Sequence, residues 1–127
     1  MEAKLYRVIL PVLDIEIAEK FYSCILGQKG IRVSPGRHYF DLGGTILACY
    51  DPSADGDKQR NWYFHENQYV YISVADLGSV RNKMKEFDCK SLGEIEAMPW
   101  GETLFYANDP FGNPICFVDE KTVFKGG

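Results

Sequence analysis

Residues 4–12 alternate apolar and β-branched side chains up to Pro11 and predict a strand. Asp14 then stands where a helix N-cap belongs. Ala18, Phe21, Tyr22 and Ile25 recur at helical spacing, and Gly27 fits the C-terminal stop. Three short strand-like runs follow, over residues 30–33, 37–42 and 45–51. Gly43-Gly44 joins the last two, and its freedom at positive φ suits a tight hairpin. Residues 51–60 carry Asp, Ser, Gly and Lys without periodicity and predict a linker. After it the pattern restarts. Residues 69–74 predict a strand, Asp76 an N-cap, and Leu77, Val80, Met84 and Phe87 one helical stripe, with Lys83, Lys85 and Glu86 turned to water. Strands near residues 91–97, 103–107 and 114–118 complete the chain. Between the last two, Asn108-Asp109-Pro110-Phe111-Gly112-Asn113 reads as a turn.

The two halves match at their landmarks. Val12-Leu13-Asp14 answers Val74-Ala75-Asp76, Gly44-Thr45-Ile46-Leu47-Ala48 answers Gly112-Asn113-Pro114-Ile115-Cys116, and Asp51 answers Asp119. A repeat of about 60 residues occurring twice is too long and too few for a solenoid. The expected fold is α+β, two β-α-β-β-β modules in a single domain over residues 1–127. Module one covers about 1–51, the linker about 52–66 and module two about 67–127.

Composition narrows the function. Apolar residues make up 46% and charged residues 25% of the 127, the balance of a globular chain with a real core. A net charge of −4 speaks against nucleic acid, which needs clustered Lys and Arg, and fits a neutral or cationic small ligand. No apolar run approaches the roughly 20 residues of a membrane span, and the N-terminus has no signal-peptide stretch, so a cytoplasmic protein is expected. Cys24, Cys49, Cys89 and Cys116 are scattered, without a C-x-x-C pair. Free thiols in a reducing compartment are the simplest reading, and a zinc site has poor spacing.

Val12-Leu13-Asp14, Ala18-Glu19-Lys20-Phe21-Tyr22 and Leu26-Gly27 resemble the opening of glyoxalase and bleomycin-resistance proteins. Pro99-Trp100-Gly101 before Asp109-Pro110-Phe111-Gly112-Asn113-Pro114-Ile115 resembles their closing strand pair. The resemblance, to the vicinal oxygen chelate superfamily, covers nearly the whole chain. It implies eight strands in a cupped mixed sheet, a ligand inside the cup and, commonly, a homodimer. In metal-bearing members His, Gln or Glu side chains hold a divalent ion there. The corresponding places fall on Arg7, Ala48, Tyr69 and Cys116, none of them a ligand of that kind. No cofactor is therefore expected. His38, His65, Glu66, Glu102 and Glu120 are the residues that a displaced site would have to use.

Strand alternation turns these places into a pocket list. Tyr71 and Ser73 share a face with Tyr69; Leu5 and Ile9 with Arg7; Ile46 and Tyr50 with Ala48; and Pro114 and Val118 with Cys116. Arg7, Ala48, Tyr50, Tyr69, Tyr71, Trp100 and Cys116 are the ligand-binding candidates. Arg7, if buried, needs an anionic ligand or an internal partner such as Asp41 or Glu102; otherwise it belongs to a strand edge or a dimer contact. Trp100 suits a pocket wall, and Trp62-Tyr63-Phe64-His65 an interface. The leading expectation is a metal-independent protein that binds an aromatic or amphipathic small molecule. Two alternatives stand beside it. One is a lyase, isomerase or dioxygenase using a displaced metal or an acid-base pair such as Tyr69 with His65; the other is a dimeric interaction module.

Overall fold

The computed structural model describes residues 1–58 and 66–126. The chain divides into two compact units, Met1–Trp62 and Tyr63–Gly127, each with a small sheet and, among the described residues, one α-helix.

In the first unit, β1 (Arg7–Pro11) leads into α1 (Ile15–Leu26). Asp14 caps the helix as its polarity predicts, accepting hydrogen bonds from the amides of Glu16 (2.9 Å) and Ile17 (3.1 Å). Gly27 ends it in the left-handed conformation, φ 68°, and its amide bonds back to Ser23. Ile15, Ala18, Phe21, Tyr22 and Ile25 form the buried stripe. Asp14→Ala is expected to cost about 1 kcal/mol, read as a lower urea midpoint with unchanged slope. A midpoint equal to wild type would mean that water replaces the cap.

Three strands follow: β2 (Ile31–Ser34), β3 (Arg37–Leu42) and β4 (Thr45–Tyr50). The sheet order is β1-β4-β3-β2, with β1 and β4 parallel and the other pairs antiparallel. Residues 51–58 fall in the expected linker, yet 52–56 form turns that fold back on the β2–β3 hairpin. Asp55 accepts from the Gly36 amide (2.6 Å) and the Ser34 hydroxyl (2.8 Å) and pairs with Arg37. Desolvation works to raise the Asp55 pKa, but the bonds from Ser34 and Gly36 and the Arg37 charge outweigh it, and the net shift is downward. Gly36 is required here, since a Cβ would lie 2.2 Å from the Asp51 carbonyl oxygen.

The second unit repeats the plan. β5 (Val70–Val74) precedes α2 (Leu77–Met84), capped by Asp76 through the Ser79 amide (3.0 Å). Leu77, Val80 and Met84 are buried, while Phe87 lies past the helix end and is half-buried. β6 (Ser91–Leu92), β7 (Glu96–Ala97), β8 (Thr103–Asn108) and β9 (Pro114–Asp119) complete a sheet of order β5-β9-β8-β6, with β7 also on β8. The single strand expected over residues 91–97 is thus two short ones. Gly93 still donates to the Tyr106 carbonyl, but its own carbonyl is taken by Arg81 Nε of α2 (2.8 Å), and residues 93–95 leave the ladder. Among the described residues there are nine strands, in sheets of four and five, where eight were expected. No helix among the described residues is long and apolar enough to cross a membrane.

Candidate functional site

Each helix covers one face of its sheet. In the first unit Leu10, Phe40, Leu47 and Cys49 are buried on the α1 side. The opposite face carries three rows across β1, β4 and β3: Arg7–Ile46–Asp41, Ile9–Ala48–Tyr39 and Pro11–Tyr50–Arg37. Arg7 is exposed, so the condition under which it would need a buried partner does not arise: alternation assigns a face, not a depth. Its Nη1 donates to the Tyr39 hydroxyl (2.9 Å), and its guanidinium carbon lies 5.4 Å from the Tyr6 ring centroid and 5.7 Å from that of Tyr39. Asp41, a suggested partner, instead accepts from the Gly44 amide (2.8 Å) and caps the hairpin turn. Among the described residues no carboxylate forms an ion pair with Arg7. Ala48 is buried in the middle row. Tyr50 is half-buried under the Arg37 guanidinium, 4.3 Å from its ring centroid, and donates its hydroxyl to Asp57. That bond, followed by desolvation, raises its pKa.

In the second unit Ile72, Phe105, Ile115 and Phe117 are buried on the α2 side. Leu104, Cys116 and Val118 form an apolar cluster on the other face, with Tyr69, Tyr106, Met98 and Val123 packed against it. Tyr69 lies just before β5, its ring 4.8 Å from that of Tyr106. Tyr71 is 52% exposed and its hydroxyl stands 3.5 Å from the Tyr106 hydroxyl. The Tyr106 pKa is raised, first by that contact and then by burial. Burial, with Glu102 behind it, pushes the Cys116 thiol up to about 12. This is an inert thiol rather than a reachable nucleophile. Trp100 sits in the loop before β8, 61% exposed, its indole N–H on Glu102 (2.7 Å). Trp62-Tyr63-Phe64-His65 lie outside the described residues.

The family model for the glyoxalase/bleomycin resistance protein/dioxygenase superfamily matches residues 4–117. The chain belongs to that superfamily. No curated protein matches it in sequence. Among solved structures it is similar to a lactoylglutathione lyase from Agrobacterium tumefaciens, with TM-score 0.68, 18% identity, and coverage of 94% of this chain and 96% of the other. A glyoxalase/bleomycin resistance protein from Albidiferax ferrireducens T118 gives TM-score 0.70 at 17% identity, covering 91% and 97%. A glyoxalase-related enzyme from Fulvimarina pelagi gives 0.71 at 16%, covering 93% and 88%. At these identities the likeness concerns the fold.

The superfamily's metal does not fit the four side chains at the implied ligand places. Arg7 is a permanent cation, Ala48 a methyl group, Tyr69 a phenol packed on another ring, and Cys116 a buried thiol that holds its proton. Among the described residues no group of three His, Cys, Asp or Glu is placed to hold an ion. His38, a candidate for a displaced site, points the other way. It is buried on the α1 side, with Nε2 on the Lys29 carbonyl (2.8 Å) and Nδ1 accepting from Arg32 Nε (3.3 Å). Tyr39 and Tyr106 were not among the sequence candidates. Both lie on the central strands β3 and β8, where alternation offers two phases and the pairing of Tyr39 with Ala48 and of Tyr106 with Cys116 decides between them.

Proposed function

We propose that this superfamily member binds an aromatic or amphipathic small molecule bearing an anionic or strongly polar group, and does so without a metal. The observation that carries the reading is Arg7. Its guanidinium is oriented by the Tyr39 hydroxyl and flanked by two tyrosine rings, yet has no carboxylate among the described residues. A planar fork of donors beside aromatic rings is suited to a carboxylate or phosphate on a flat body. The protein is proposed to act as a cytoplasmic homodimer. Ile9, Ile31 and Val33 stand exposed on the helix-free face, and β1 and β2 are edge strands within their sheet, a combination that favours a covering partner.

A thermal-shift panel tests this, with elemental analysis and native mass spectrometry of the same dialysed sample. Aromatic carboxylates are expected to raise Tm more than matched aromatic amines or neutral aromatics. A ligand at a hundred times its Kd adds about 2.7 kcal/mol. The native mass is expected to be that of a dimer, with no stoichiometric metal. Retained zinc, nickel, manganese or iron would overturn the metal-free reading, and a panel without any shift would overturn the binding role.

A further inference from the structure

In the second unit, β5 and β8 bring two phenols together. Tyr71 and Tyr106 are not direct neighbours in the ladder, since β9 runs between them; both stand beside Cys116, which pairs with Tyr71 on one side and Tyr106 on the other. Their rings meet edge to face over Cys116, centroids 6.4 Å apart. The hydroxyl oxygens are 3.5 Å apart, well beyond the roughly 2.7–2.8 Å of a good O–H···O bond. The contact between them is therefore weak, and each hydroxyl keeps donor capacity.

We propose that Tyr71 and Tyr106 form a two-pronged donor site for one acceptor oxygen of the ligand, a carbonyl or carboxylate oxygen joined to an apolar body. An oxygen at about 2.7–2.8 Å from both hydroxyls spans the 3.5 Å gap with each phenol donating to it. Leu104, Cys116 and Val118 lie buried beneath Tyr106, and the Tyr69 ring braces Tyr106 from the side. The rings of Tyr69, Tyr71 and Tyr106 offer the apolar body an aromatic surface. Tyr71 is open to solvent, so the site is reachable. The proposal rests on the reading that the chain binds a small molecule, and concerns the face of the second unit by itself.

Acetophenone and α-methylstyrene have nearly the same shape and differ in an acceptor oxygen against a methylene, and neither carries charge. Titrations of the full chain, followed by NMR shifts, are expected to show acetophenone binding about fivefold more tightly after correction for their partitioning from water. Tyr71→Phe and Tyr106→Phe should each erase that preference, and the double variant should lose no more than either, because the two hydroxyls act as one unit. α-Methylstyrene affinity should stay constant throughout, which shows that the aromatic surface is intact. Equal binding of the two probes by wild type, or a preference that survives both substitutions, would overturn the donor site while leaving the binding role in place. Failure of wild type to bind either probe would instead overturn the binding role, and the donor site with it.

Discussion

Replacing Asp109 by Ala is expected to lower stability by about 3 kcal/mol, the largest single-residue effect foreseen for this fold. Asp109 is fully buried, and its carboxylate organises the turn between β8 and β9. One oxygen accepts from the amides of Phe111 (2.9 Å) and Asn113 (2.8 Å), the other from the Asn113 side chain (2.9 Å). Alanine removes these acceptors together and strands a buried backbone donor, at roughly 1–3 kcal/mol for each group left unsatisfied. For a chain of this length that corresponds to a Tm lower by roughly 10–15 °C. Asp109→Asn keeps an acceptor oxygen and should lose less. Calorimetry showing both variants within a degree of wild type would mean that the turn is held by its backbone bonds alone. The consequence reaches function, because this turn sets the register in which Tyr106 faces Cys116.

Much of this architecture was legible because short-range chemistry decides it. Asp14 and Asp76 cap the helices they were expected to cap, and the two apolar stripes are buried where their spacing placed them, except Phe87, which lies past the end of α2 and is half-buried. The alternation read from Tyr69 also holds, with Ile72 buried and Tyr71 and Ser73 exposed. The remainder depends on contacts between residues far apart in the chain. Arg81 reaching the Gly93 carbonyl interrupts a strand that the local pattern runs through. The Asp-rich segment after β4 looks like a solvated linker until Gly36, Ser34 and Arg37 meet Asp55. Alternation also leaves open which residues of β3 and β8 share a face with those of β4 and β9. That phase is fixed by pairing, so Tyr39 and Tyr106 became visible only once Ala48 and Cys116 had their partners. Depth is a further unknown of the same kind, as exposed Arg7 and buried His38 illustrate.

Arg7→Met is expected to weaken binding of an aromatic carboxylate such as 2-naphthoate by about tenfold. Hydrogen bonds to charged groups contribute roughly 1.5–3 kcal/mol, and the exposure of Arg7 places it at the lower end of that range. Methionine keeps the apolar stem and removes the charge. The Tyr39 hydroxyl it releases is left free to find water, so the fold should survive. Arg7→Lys retains the charge without the planar fork or its stacking on Tyr6 and Tyr39, and should fall between the two. Salt supplies the control, because an exposed ion pair is screened within about 8 Å at physiological ionic strength. Wild-type affinity for 2-naphthoate should therefore fall as salt rises, and the Met variant should show a much flatter dependence. Calorimetry and light scattering on the same samples separate the outcomes. Unchanged affinity with lost dimerisation would move Arg7 to a subunit contact. Unchanged affinity in an intact dimer would make it a bystander, and the case for an anionic ligand would fall with it.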